Sequence, residues 1–374
     1  MRDLIVIGGG LAGASLAAAV ARAGHDVLLV ERRQLPRHKV CGEFLSPDAI
    51  LSLRRLGLLQ AVQRLGPVPI RSARLTSRAG LGLTVPLPAV AWGISRYSLD
   101  QAMLAEARAA GAEVQAGVSA SHLLPEEGGF RVAVGGTWVR SRLVVGAWGR
   151  QTTPALRAHQ PPPRHRSWVG LKAHLAATAQ GDQVELYFVD GGYLGLAPVN
   201  GGRVNCSALV SQEAFRRAGS SLAAFLESAR RQSPALAQRL AGARPVPATE
   251  AAVACVDTAQ PPIPWSGSLP LLGDAAAMIP PLAGDGMAMA LRTAELNLPW
   301  VLEHLAGRLT LGHWAERYCQ AYQAEFARRL RTARWIQAAL MRPLLGDGLI
   351  LLGHLLPTMA IRLVHATRGA VTAH

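Results

Sequence analysis

Lysine is almost absent from this chain: Lys39 and Lys172 are its only two among 374 residues, so the net charge of +15 at pH 7 rests almost wholly on arginine. No basic run is interleaved with aromatics and no recognised binding module is present, which excludes a nucleic-acid reader. The charge reads as a solvated surface rather than a dedicated anion-binding face. Cysteine is scarce as well. Cys41, Cys206, Cys255 and Cys319 are scattered and form no C-x-x-C pair, which excludes a disulfide frame and a zinc site and suits a reducing, cytoplasmic compartment. The most apolar stretch, 344–364, is broken by Asp347, His354 and Pro357, whereas a bilayer span needs roughly 20 mainly apolar residues. The first strand is expected from about Asp3, which leaves no room for a signal peptide. Charged residues make up only 17% of the chain and half of it is hydrophobic, so a disordered chain is excluded too.

What is present begins at residue 4. An apolar run is followed by Gly8, Gly10 and Gly13 in G-x-G-x-x-G spacing, an Ala-rich helical pattern, and a second apolar run ending at Glu31. In that order these are the parts of a dinucleotide-binding βαβ unit. The glycines serve a tight turn, close approach of the backbone to a pyrophosphate, and close packing of helix on sheet, with the phosphates at the helix N-terminus. Glu31 is placed to accept hydrogen bonds from the adenosine ribose. Gly13→Val is expected to fill the space that the pyrophosphate needs.

The length allows two domains. Residues 46–66 predict a pair of short helices behind an N-cap serine and Pro47, and 98–117 a helix and then a strand. Residues 141–149 form an apolar strand, and the Pro/Arg-rich 159–166 marks a crossing between domains. Alternating apolar runs separated by Gly and Asn turns over 168–210 predict an antiparallel sheet. The expected organisation is a discontinuous nucleotide domain (1–66, 93–160 and 265–305), a β-sheet substrate domain (67–92 and 161–264), and a helical region at 306–374.

A second signal lies at 270–302. A short strand brings Asp274 to its end, and the turn from Pro280 through Gly284, Asp285 and Gly286 opens a helix whose orphan amides and dipole can face an electron-rich ring. Three blocks, the N-terminal fingerprint, GISRYSLDQAML and GDAAAMIPPLAGDG, resemble the flavoprotein monooxygenase superfamily that includes para-hydroxybenzoate hydroxylase, together with its geranylgeranyl reductase branch. The resemblance implies an α/β fold: a Rossmann-like FAD-binding domain of three-layer ββα architecture, an antiparallel-sheet substrate domain and C-terminal helices. It implies FAD held by Gly8, Gly10, Gly13, Glu31, Arg32, Lys39, Arg96 and Asp274, with Gly284, Asp285 and Gly286 beside the isoalloxazine. The KVCGEFLS segment is closest to the reductase branch, which makes Cys41 and Gly42 candidates beside the flavin. Pro281 and Tyr193 complete the set of pocket candidates.

Two departures narrow the reading. Trp148-Gly149 stands where hydroxylases of the superfamily carry Asp-Gly, so the reductant is either NAD(P)H or a separate reductase. The WxWxIP signature of flavin-dependent halogenases is missing, since Trp265 stands alone after PPIP. The leading expectation is therefore a monooxygenase of secondary or quinone-type metabolism, working through a flavin C4a-hydroperoxide on an aromatic or lipid-like substrate such as a phenol, quinone precursor or polyketide. The alternative is a reductase of an alkene or prenyl chain; a flavin-carrying sensor or assembly factor is weaker. Trp168, Leu171, Leu186, Phe188, Tyr193 and Leu194 are expected to line the pocket. The eleven histidines read as surface or core filler, and no metal site is expected. The C-terminal helices with Arg328, Arg329, Arg331, Arg334 and Arg342 read as ordinary packing with a solvated basic face; peripheral contact with a membrane or an acidic carrier protein is the other expectation.

Overall fold

The computed structural model describes residues 1–150, 156, 168–176, 181–258 and 260–366, so the expected crossing at 159–166 lies outside the described residues. Strand β1 (Arg2–Ile7) buries Leu4 to Ile7 and runs parallel to β2 (Val27–Glu31), with Leu4 opposite Val27. Between them α1 (Leu11–Arg22) buries nearly every side chain, because alanine and glycine let it sit close to the sheet and to two other helices. Those neighbours are the helix opened by Ser95 and, far along the chain, the helix that begins at Gly286.

Helix α2 (Pro47–Arg55) and the short helix Leu59–Gln63 form the pair anticipated at 46–66. The chain then leaves the first sheet as β3 (Val68–Thr76) and β4 (Gly82–Gly93), and returns as α3 (Arg96–Ala109), whose N-cap Ser95 accepts from Tyr97 N. Strand β5 (Glu113–Ala116) joins β2 in parallel, while β6 (Ala120–Glu126), β7 (Gly129–Val134) and β8 (Thr137–Gly146) form an antiparallel meander. The last of these also lies parallel to β1, which gives the order β5-β2-β1-β8-β7-β6.

The second sheet is built around β9 (Trp168–Ala176), β10 (Gln183–Val189), β11 (Gly192–Val199) and β12 (Arg203–Ser211), with β13 (Ala251–Val256) beside β9. It is antiparallel except where β10 runs along β3 in parallel, at the seam between two distant stretches of chain. Short helices over 212–239 cover one face through Leu171, Leu194, Phe225 and Leu236. The other face meets the C-terminal helices through Phe188, Tyr193, Leu209, Leu340 and Ile350. After α4 (Gly286–Leu305), the long α5 (Leu311–Leu340) buries Trp314, Tyr318, Tyr322, Phe326 and Leu330, a stripe at spacing four. Its first half is bonded to the nucleotide-binding part, Tyr318 Oη donating to Leu271 O at 2.8 Å and Trp314 Nε1 to Asn297 Oδ1 at 3.1 Å, while Leu340 at its end packs against the second sheet. Helices α6 (Pro343–Leu355) and α7 (Pro357–Ala366) lie against β4.

Candidate functional site: a nucleotide cleft joined to an apolar pocket

The three fingerprint glycines have different physical duties. Gly8 adopts φ +116°, and a Cβ there would lie 2.3 Å from Ala147 O, so the turn out of β1 requires glycine. A Cβ at Gly13 would lie 1.9 Å from Gly8 O, so Gly13 serves the contact of α1 with the turn rather than the wall of the cleft. Gly10, the N-cap of α1, has no atom within 4 Å of such a Cβ. It faces a cleft of about 760 Å³ lined by Gly8, Gly10, Glu31, Arg32, Asp274 and Gly286, among others. The space left for a pyrophosphate is therefore beyond Gly10, which corrects the expectation attached to Gly13.

The carboxylate of Glu31 accepts from Gly9 N and Arg33 N, both at 2.9 Å, and these bonds fix it at the cleft wall. Arg96 grips Asp100 through Nε at 2.8 Å and Nη2 at 3.0 Å, and Lys39 reaches the same carboxylate at 2.6 Å. Burial opposes the charge on both Arg96 and Asp100, yet their pairing prevails: the guanidinium is raised and the carboxyl lowered. Two cations around one buried anion leave net positive charge beside the cleft. Asp274, half-buried in the turn after Leu272, makes no hydrogen bond or ion pair with another described residue, and burial pushes its carboxyl up. An open cradle at a helix N-terminus, a fixed acid at the end of β2, and a carboxylate without a hydrogen-bond partner among the described residues fit the FAD expected from the sequence. Held there, the cofactor would supply redox chemistry next to the residues described below.

A second cavity of about 410 Å³ adjoins the cleft, and its walls are mostly aliphatic. The two share Val40, Cys41, Gly42 and Phe44 on one side and Pro281 and Gly284 on another. The structure thus brings Cys41, Gly42, Pro281 and Gly284 to one junction. Burial raises the Cys41 thiol despite the nearby Arg96 guanidinium, so the side chain is a neutral thiol at neutral pH. Tyr193 lines the apolar pocket, its phenol pushed up by burial and its hydroxyl without a hydrogen bond to another described residue. Of the other anticipated lining residues, Leu186 is in the wall. Leu171 and Leu194 sit on the opposite face of the sheet under the short helices, as the two-residue period of their strands requires. Phe188 supports Tyr193 from a ring-centroid distance of 6.2 Å. Trp168 packs in the same cluster without lining the pocket.

The histidine reading needs correction. Along β9, Gly170, Lys172 and His174 alternate onto one face, against the segment 38–43. Lys172 Nζ lies 2.8 Å from His38 Nδ1 and 3.2 Å from Glu43 Oε1, while Glu43 Oε2 meets His174 Nε2 at 2.6 Å. Glu43 also accepts from Arg96 N at 2.9 Å, and Asn205 Nδ2 donates to Cys41 O at 2.9 Å. His38, Glu43 and His174 stand close enough together for metal ligation, but the Lys172 ammonium already brings a positive charge among them. Burial lowers Lys172 and would raise Glu43, whose bond to His174 and attraction to Lys172 bring it down instead. His38 falls to about 4 through burial and the Lys172 charge, so it is neutral. This cluster clamps the strand-to-helix segment carrying Cys41 and Gly42 onto β9 of the second sheet. One signal in the sequence could have found it: the second lysine of a chain with two, set between glycine and histidine at period two in an apolar strand.

Asp285 also sits differently from the expectation. Its side chain turns away from both cavities, accepting from Ser46 Oγ at 2.7 Å and pairing with Arg329 at 3.0 Å; Arg329 in turn binds Asp48. The residue knits α2, α4 and α5 together, leaving Gly284 and Gly286 at the cleft. Trp148 lines the cleft wall, its ring over Gly146, where a Cβ would come within 2.5 Å of it.

Among known proteins, the model of the family described as FAD binding domain matches residues 1–333. A menaquinone reductase of Mycolicibacterium smegmatis is 28% identical over 324 residues, 79% of this chain and 75% of that protein. The FAD-dependent monooxygenase OpS4 of Beauveria bassiana is 27% identical over 217 residues, 46% of this chain and 51% of that protein. A triple mutant of the flavin-dependent brominase Bmp2 shares the fold with a TM-score of 0.79 at 18% identity, covering 97% of this chain and 94% of its own.

Proposed function

This chain belongs to the FAD binding domain family, an FAD-dependent oxidoreductase of the monooxygenase type, and on that premise we propose that it hydroxylates a lipid-like aromatic substrate. The polar head would lie at the junction between Cys41–Phe44 and Pro281–Gly284, and the apolar tail in the adjoining pocket. The observation that carries this reading is the shared wall of the two cavities, which brings an aliphatic chamber directly against a nucleotide cleft.

FAD held in the cleft would supply the oxygen-activating chemistry. The chain's own residues hold and shield. Aliphatic walls such as Leu75, Val85, Leu186 and Leu209 exclude water from the reacting centre. Tyr193, protonated throughout the physiological range, offers its hydroxyl to a phenol or quinone oxygen. The electron donor is NAD(P)H or a separate reductase, and the compartment is the cytoplasm, where such donors and reduced thiols coexist. Among the described residues no single helix is long and apolar enough to cross a membrane.

A reductase of an alkene or prenyl chain is the second reading. It is favoured by the length over which a menaquinone reductase aligns. Parallel incubations of the reduced holoenzyme with an alkylphenol and with a prenylated quinone under isotopically labelled dioxygen separate the two. One labelled oxygen in the product supports the hydroxylase; two hydrogens added to a prenylated substrate without oxygen would replace it with the reductase.

A further inference from the structure

Eight of the thirteen large hydrophobic side chains that stand exposed among the described residues lie between 335 and 359. They do not form a random scatter. Helix α6 turns Ile350 and Gly353 inward, so closely that a Cβ on Gly353 would come within 2.6 Å of Leu83 on β4. That leaves Leu344 at 90% exposure and Leu355 at 66% on the outer side. Trp335, Leu352 and Met359 belong to both sets, being exposed and lining the apolar pocket. The pocket therefore opens into the patch.

Positive charge lies in the same stretch of chain, where Arg328 and Arg331 stand seven and four residues before Trp335, on one side of α5 by helical spacing. Arg328, Arg331 and Arg342 are exposed on or just after α5, whereas Arg329 and Arg334 are engaged within the fold, the latter donating to Thr258 O and Gln260 O. From 326 to 366 the sequence holds one acid, Asp347, and that carboxylate is occupied by Arg78 N at 3.1 Å. Exposed leucines and exposed arginines in one C-terminal stretch suit a lipid surface bearing negative headgroups, because apolar insertion and attraction to the headgroups add. A monomeric water-soluble surface rarely leaves so many large apolar side chains together.

We infer that the outer face of α6 and α7 docks on an anionic lipid bilayer, and that substrate passes from the membrane into the pocket between Trp335, Leu352 and Met359 without crossing water. The inference rests on the lipid-like substrate proposed above and names the source from which it is drawn. Docking itself needs no turnover.

Flotation of the FAD-loaded protein with vesicles tests it. Phosphatidylglycerol–phosphatidylcholine vesicles at low salt are expected to carry the protein, and high salt or phosphatidylcholine alone to carry much less. The paired substitution Leu344→Asp and Leu355→Asp, which touches neither cavity, is expected to lower the bound fraction by roughly ten-fold at unchanged FAD content and melting temperature. Protein that stays in the aqueous phase with anionic vesicles, or a variant that floats like the parent, overturns the inference. So does light scattering that finds a dimer which the paired substitution converts to monomer, since the face would then belong to a second copy. Vesicle binding is read without catalysis, so loss of the hydroxylase reading in the labelled-oxygen experiment leaves this result interpretable.

Discussion

Glu43 and His174, 131 positions apart in sequence, meet at 2.6 Å in a buried contact that joins the segment after β2 to the second sheet. Because Lys172 and Arg96 N share the same carboxylate, one acid holds the segment 38–43 against β9 and against the start of α3. Removing one partner of a buried ionic group leaves the other uncompensated, which costs about 3–5 kcal/mol. Glu43→Gln is therefore expected to lower the melting temperature at neutral pH and to loosen the Cys41 segment, read as faster alkylation of the thiol. Equal alkylation rates in parent and variant would count against the clamp.

The same cluster sets an acid limb. Glu43 has a carboxyl lowered from 4.5, so its contribution is present above that value and is lost as pH falls through the folded value. His38 moves in the same direction: lowered from 6.5 to about 4, it resists a proton that the unfolded chain takes up, and stability drops across that interval on acidification. Melting temperature should fall from pH 6.5 downward in the parent, and His38→Asn should flatten the upper part of that fall. A parent whose melting temperature is flat between pH 6.5 and 4 contradicts the assignment.

Gly10 and Gly13 should separate cleanly. A side chain at Gly10 enters open cleft, so Gly10→Val is expected to yield folded protein without FAD, whereas Gly13→Val overlaps Gly8 O and is expected to lower the melting temperature of the FAD-free protein as well. Flavin absorbance and thermal melting of the two purified variants check this. Full FAD occupancy in Gly10→Val would remove the cleft assignment.

Asp285→Ala is expected to act through the fold. It leaves the buried Arg329 with Asp48 and Glu325 but removes one carboxylate and the Ser46 bond, so a loss of about 1.5–3 kcal/mol should appear in denaturant unfolding. Unchanged stability with altered flavin reactivity would restore the role beside the isoalloxazine that the sequence suggested.

How much could be read in advance follows from range along the chain. The fingerprint, the pair of short helices after it and the second nucleotide block are local patterns in which turn glycines, caps and periodicity act on neighbours, and each lies where it was anticipated. What stayed hidden depends on pairing across long separations. Gly10 and Gly13 look alike in a motif, and only the positions of Gly8 O and Ala147 give them different duties. Asp285 reads as a ring contact until α5 delivers Arg329 to it. Lys172, His174 and Glu43 carry no motif, and Leu171 and Leu194 fall on the far side of a sheet whose facing was not fixed by sequence. The five C-terminal arginines, grouped as one basic face, divide into two that are engaged within the fold and three that are exposed.

Bound FAD should face the apolar pocket across the Cys41–Phe44 and Pro281–Gly284 walls. Titration of the holoenzyme with alkylphenols of increasing chain length, followed in the visible spectrum of the flavin, tests it most directly. Each buried methylene contributes about 0.8 kcal/mol, so Kd should fall about four-fold per carbon until the pocket is full. A saturable flavin perturbation with that chain-length dependence is the expected result; a spectrum that no ligand changes, or a Kd independent of chain length, would contradict the account.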